Sequence, residues 1–272
     1  MDIRNIAVAL DIDDVDENLV ALAADLAIRH HASLIGVAAA ALPIIAVGME
    51  GSEIAGVIYT EQRERTEAAF AAAKHRFEQL LPQGISRSWQ QTLEPLHAAL
   101  IHAAHRADLI LVGATAHDGP SGGSLDAGAT LLGAGRPVLF AAEGQSRLHA
   151  ERVVIAWKDT KEARRAVADA LPLLKLARSV TVVVVDEGDL AVEKSSLQDV
   201  LAWLKSHQVQ AHGDVFPNRA GPTRAILDAA ATSDADLIVS GAYGHSRLRE
   251  WLLGGVTKDL LAADHISRIF SN

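Results

Sequence analysis

At 272 residues the chain exceeds an ordinary single domain of about 100–200 residues, so two domains are expected, each long enough to close its own core. Its 25 basic and 34 acidic residues give a net charge of −9, and no basic cluster interrupts that balance, which argues against a nucleic-acid partner or an anionic membrane surface. The absence of cysteine excludes disulfides, thiolate metal sites, iron–sulfur clusters and cysteine nucleophiles.

With 49% hydrophobic and 22% charged residues, the composition is that of a soluble globular chain. Met1-Asp-Ile-Arg-Asn5 carries no apolar run behind a basic region, so no secretory signal is expected and a cytoplasmic location is the default.

In chain order, the apolar run Ile6–Leu10 suits a strand buried on both faces. The spacing Asp14-x-x-Glu17 then reads as a helix start, with Leu19, Leu22, Ala23 and Leu26 on one face. The acidic run from Asp11 to Glu17 is explained by helix capping and dipole complementarity before any cation site. Residues 32–48 are nearly all apolar, but the stretch has only 17 residues and holds Pro43 at its centre. A buried strand running into an apolar loop is predicted there, and no membrane span.

An alanine-rich helical segment, Leu96–His105, precedes Ala107-Asp-Leu-Ile-Leu-Val-Gly-Ala114, and Arg136–Phe140 reads as a final strand. His102 and His105 lie three apart on that helix, a metal-compatible spacing with no third ligand beside it, so a solvated face is expected. The second half repeats the pattern, with a strand over Val153–Trp157 and a helix carrying Ala163, Ala166, Val167, Ala170, Leu171 and Leu174 on one face. The β-branched run Val180–Val185 follows, then helix 190–206, strand 209–216, helix 222–232, strand 236–240, helix 254–263 and strand 266–270.

Ala235-Asp-Leu-Ile-Val-Ser-Gly-Ala242 restates Ala107–Ala114, so the chain reads as duplicated. Strands alternating with helices predict α/β units, here two tandem open parallel five-stranded sheets with helices on both faces. The boundaries fall at 1–145 and 150–272, joined near Glu143–His149.

Ligands of open parallel sheets bind beyond the carboxyl ends of strands, which directs attention to Gly241-Ala-Tyr-Gly-His-Ser-Arg-Leu-Arg-Glu-Trp-Leu-Leu-Gly-Gly-Val-Thr257. Gly241 and Gly244 permit close backbone approach to an anion, Gly254 and Gly255 open a helix, Thr257 offers a hydroxyl, and Arg247, Arg249 or Lys258 could supply charge. No nucleophile elbow, zinc-protease motif or Walker sequence is present, so no enzyme is expected beyond slow hydrolysis, for which His245 and Asp159 are the polar candidates.

With Gly241, two residues, Gly244, nine residues and Gly254, the chain resembles the universal stress protein family in its tandem two-domain form. That resemblance extends over both halves and implies a Rossmann-like fold, a non-enzymatic stress-response role as a nucleotide-dependent sensor or regulator, and ATP or AMP as ligand, with or without magnesium. It places adenine near Ala156, Trp157 and Val185, and the phosphates on Gly241, Gly244, Gly254, Gly255, Val256 and Thr257. It further implies an internal pseudo-dimer, with a further homodimer as partner.

Two departures from the family pattern matter. Its acid after the first strand is Lys158 here, with Asp159 one residue later, and position 255 holds Gly in place of Ser or Thr. In the first half Asp11 is present, yet the later loop lacks the second glycine, having Ala116, and Asp126 would repel a phosphate at the next helix start. The first half is therefore expected to bind no nucleotide. A nucleotide-free interaction and oligomerisation module is the alternative, with the apolar 41–48 loop and the last strand as candidate surfaces.

Overall fold

The structure is a computed structural model and describes residues 2–42, 52–114, 125–242 and 255–272, with side chains from 56 onward in the second of these blocks. The first half runs β1 (Asn5–Leu10), α1 (Glu17–His30), β2 (Ser33–Ala39), α2 (Ser52–Leu80), β3 (Arg87–Thr92), α3 (Leu96–Ala103), β4 (Leu109–Val112), α4 (Ala127–Ala134) and β5 (Val138–Phe140). The second runs β6 (Arg152–Trp157), α5 (Lys161–Leu174), β7 (Ser179–Val185), α6 (Leu190–Ser206), β8 (Ala211–Phe216), α7 (Pro222–Thr232), β9 (Leu237–Gly241), α8 (Gly255–Leu261) and β10 (Ser267–Ser271). Among the described residues no helix is long and apolar enough to cross a membrane.

The expected α/β class is present, but its two sheets are one. The order β3-β2-β1-β4-β5-β10-β9-β6-β7-β8 is a single ten-stranded sheet, parallel within each half, with β5 and β10 antiparallel at the centre. Both junction strands are wholly buried, β5 as an apolar Val-Leu-Phe run and β10 with Ser267, Arg268 and Ser271 beside Ile269 and Phe270, so each half covers the edge that the other would leave open. The mirrored strand order and the antiparallel junction are what a two-fold relation between the halves requires. Phe140 and Phe270 meet edge to face across this junction, with ring centroids 5.9 Å apart.

The duplicated Ala-Asp-Leu-Ile motif has a structural reason. Asp108 accepts the backbone N–H groups of Arg4 and Asn5, and Asp236 accepts those of Glu151 and Arg152. In each half the carboxylate before the fourth strand thus ties down the start of the first.

Alternate residues of the strands feed two cores. Val8, Leu111, Ile155, Val182 and Val239 pack with α1, α5 and α6, whereas Ala9, Ile110, Ala156, Val183 and Ile238 pack with α3, α4, α7 and α8. Helix α1 is capped by Asp16, whose carboxylate accepts from Asn18 and Leu19 N–H, so the start lies two residues beyond the predicted Asp14. Asp126 caps α4 by accepting Ala129 N–H, as its position suggested. Strand β8 begins at Ala211, two residues after the predicted 209, because Val209 N–H still closes the end of α6 on Leu204. The strand half of the 32–48 stretch is β2, and its Pro43–Gly48 part lies outside the described residues.

Arg165 of α5 donates to the carbonyl of Asn272 in its own half and, across the junction, to that of Gly135. One turn along α5, burial pushes the Asp169 carboxyl above its ordinary value, against the pull of the Arg165 and Arg136 guanidiniums. The unfolded chain releases this proton first as pH rises, so the native state holds the extra proton and loses stability from the ordinary carboxylate range up to the native pKa. Asp169→Asn should remove that slope. Urea midpoints should show the wild type falling relative to the variant as pH rises above the ordinary carboxylate range; a difference that stays constant with pH would contradict it.

Candidate functional site

The strand order reverses between β6 and β9, since the chain moves outward through β7 and β8 and then returns to place β9 and β10 on the other side. That is the switch point at which open α/β sheets leave a crevice. A cleft of about 720 Å³ opens there, and its walls come from the carboxyl ends of β6, β7 and β9 and the first turns of α5, α6 and α8.

Of the residues singled out from sequence, Ala156, Trp157, Asp159, Val185, Gly241, Gly255, Val256 and Thr257 all line this cleft. Gly244, His245 and Gly254 lie outside the described residues, as do Ala116 and Trp251. The floor is apolar, built from Ala156, Val183 and Ile226. Trp157 forms one wall: its indole packs into the core on the α5 and α6 side and donates Nε1–H to Ser196 Oγ at 2.8 Å.

Gly241 is required where β9 ends. A Cβ there would stand 2.6 Å from Ala163 N and 2.7 Å from Glu162 C, so backbone meets backbone at the N-terminal turn of α5. Gly255 differs, with open space around its missing side chain, and beside it Thr257 is buried. Among the described lining residues, this β9 and α8 end carries no charged side chain, whereas the β6 and β7 end carries five: Lys158, Asp159, Glu187, Asp189 and Glu193.

The carboxylates at the charged end have partners. Lys158 Nζ lies 2.6 Å from both Glu187 oxygens, bridging the ends of β6 and β7. Asp159 is paired with Arg164 on α5, and Asp189 caps α6 by accepting Val192 N–H. Glu193 Oε1 accepts the backbone N–H of Glu187. Sequence reading missed Glu187, Glu193 and Ser196. The signal available for them was the turn Asp186-Glu-Gly-Asp189 directly after the valine run. Elsewhere, the His102 and His105 rings lie against each other with centroids 5.4 Å apart, and the described residues hold no group of three or more metal-ligating side chains.

No family model matches the chain, and no curated protein matches it in sequence. Among solved structures it is similar to a universal stress protein from Archaeoglobus fulgidus DSM 4304, with a TM-score of 0.71 at 16% identity over 98% of this chain and 96% of that one. A candidate universal stress protein from Pseudomonas aeruginosa UCBPP-PA14 gives a TM-score of 0.60 at 17% identity, covering 99% and 93%. The cytoplasmic domain of a prokaryotic cation chloride cotransporter gives 0.51 at 10% identity, covering 99% and 95%. End-to-end coverage of both partners means that the duplicated arrangement is shared along with the single unit. The chain therefore has the universal stress protein fold in its tandem, two-unit form.

Proposed function

We propose that the protein is a non-enzymatic stress-response protein that binds one adenine nucleotide, ATP or AMP, in its second half and acts as a nucleotide-dependent sensor or regulator. The observation that carries this reading is the cleft at the β6/β9 switch point, lined by every described residue that the family resemblance implicated. Its volume falls within the range of small-ligand pockets, roughly 300–1,000 Å³. The base would rest on the apolar floor by Ala156 and Val185, beside the Trp157 wall. The phosphates would meet Gly241, Gly255, Val256 and Thr257, where no described carboxylate lines the cleft and the open space at Gly255 lets an anion reach backbone amides. Magnesium would reduce the repulsion between a polyphosphate and the carboxylates at the opposite end.

A second reading, a nucleotide-free interaction module, is favoured by those same carboxylates and by Lys158 standing where the family pattern has an acid. The likeness to a transporter's cytoplasmic domain shows that the fold also serves inside a larger assembly. Thermal unfolding with magnesium and millimolar ATP separates the two, because a ligand at 100 times its Kd stabilises the native state by about 2.7 kcal/mol. The binding reading expects a raised midpoint. An unchanged midpoint would favour the interaction module.

A further inference from the structure

We infer that Glu187, held in place by Lys158, is the group that receives the ribose hydroxyls of the bound nucleotide; this rests on the nucleotide reading of the cleft. With the phosphates at β9 and α8 and the base by the ends of β6 and β7, the sugar must cross the end of β6. The Lys158–Glu187 bridge spans that point, from the residue after β6 to the second residue after β7.

Three observations single out Glu187 among the acids of the rim. It stands just past the second strand of its unit, the place from which a carboxylate meets the ribose in dinucleotide-binding sheets. Its loop is also held on several sides. Glu187 N–H donates to Glu193, Asp186 Oδ1 accepts Gly188 N–H at 2.8 Å, and Gly188 takes φ +113°, a conformation that a side chain would strain. Asp159, by contrast, is turned away to Arg164 at the start of α5 and does not bridge the two strand ends.

Lys158 has a dual effect on this carboxylate. Each Glu187 oxygen accepts one contact from the ammonium, and a carboxylate offers about four acceptor positions, so capacity remains for two hydroxyl donors. The ammonium also cancels the Glu187 charge, which would otherwise oppose an anionic ligand a few ångströms away. Lys158 is thus a positioning residue: it replaces an acid at the first strand end and presents one from the second.

The test is calorimetric titration of the full chain with magnesium and either ATP or 2′,3′-dideoxy-ATP, which lacks both hydroxyls. Wild type should bind ATP roughly tenfold more tightly than the dideoxy analogue, the ratio expected for about 1.4 kcal/mol of hydrogen bonding. Glu187→Ala should bring ATP down to the level of the analogue while leaving analogue binding in place, which also shows that the variant is folded. Lys158→Met should reduce the ratio by freeing the carboxylate. A Glu187→Ala chain that keeps the full preference, a wild type that never shows one, or loss of the preference in Asp159→Asn with Glu187 intact would each overturn the assignment while leaving nucleotide binding standing. Binding of neither nucleotide would overturn the reading of the cleft, and this assignment with it.

Discussion

Phe270→Ala should destabilise the protein by about 3–5 kcal/mol, the range for removing a fully buried aromatic ring. Phe270 is wholly buried in the middle strand pair of the ten-stranded sheet, where β10 hydrogen-bonds to β9 on one side and to β5 on the other. Its ring meets Phe140 of the other half edge to face, so the cavity opens where the halves join and both lose packing at once. Chemical denaturation should show the loss as a shifted midpoint. A cost below about 1 kcal/mol would mean that the halves do not depend on this junction, contrary to the single-sheet description.

Gly241→Val should be comparably damaging for a different reason. The new Cβ falls on the backbone of Glu162 and Ala163, which cannot rotate away as a side chain would, so β9 and α5 must separate. Overpacking of this kind costs about 3 kcal/mol at its upper end, and the displaced wall belongs to the cleft, so nucleotide affinity should fall with stability. Gly255→Ala is the control within the same cleft: nothing stands within 4 Å of its added Cβ. Its effect on stability should stay within about 0.5 kcal/mol. Equal losses from both substitutions would show that glycine at 241 is not set by close backbone approach.

Much of this architecture was legible because the buried strands are continuous apolar runs. Val153–Trp157 and Val180–Val185 could hardly be anything else, and the helix between them keeps Ala163, Ala166, Val167 and Ala170 on one face. Strand β3 gave no such signal, since Arg87-Ser-Trp-Gln-Gln-Thr92 lies at the sheet edge and is largely exposed or only partly buried. Helix α2 was silent in its first part, where residues 56–65 are exposed all round, whereas Phe70, Ala73 and Phe77 carry a buried stripe in its second part that sequence reading passed over. The fusion of two sheets was not legible because pairing between β5 and β10 is a contact across about 130 residues, with no turn to announce it. The buried Arg268 on β10 looks like an interruption of an apolar strand, yet its guanidinium donates to the carbonyl of Ala263.

In the cleft, glycines and strand ends pointed to the crevice between β6 and β9 because topology decides where a parallel sheet is open. Glu187 was hidden because its role depends on a neighbour 29 positions earlier, brought beside it only when β6 and β7 pair.

Calorimetric titration of magnesium and ATP into the purified full chain tests the central claim most directly, because stoichiometry reports both binding and the inequality of the halves. One nucleotide per chain is the predicted result. No heat at millimolar nucleotide, or two nucleotides per chain, would contradict it.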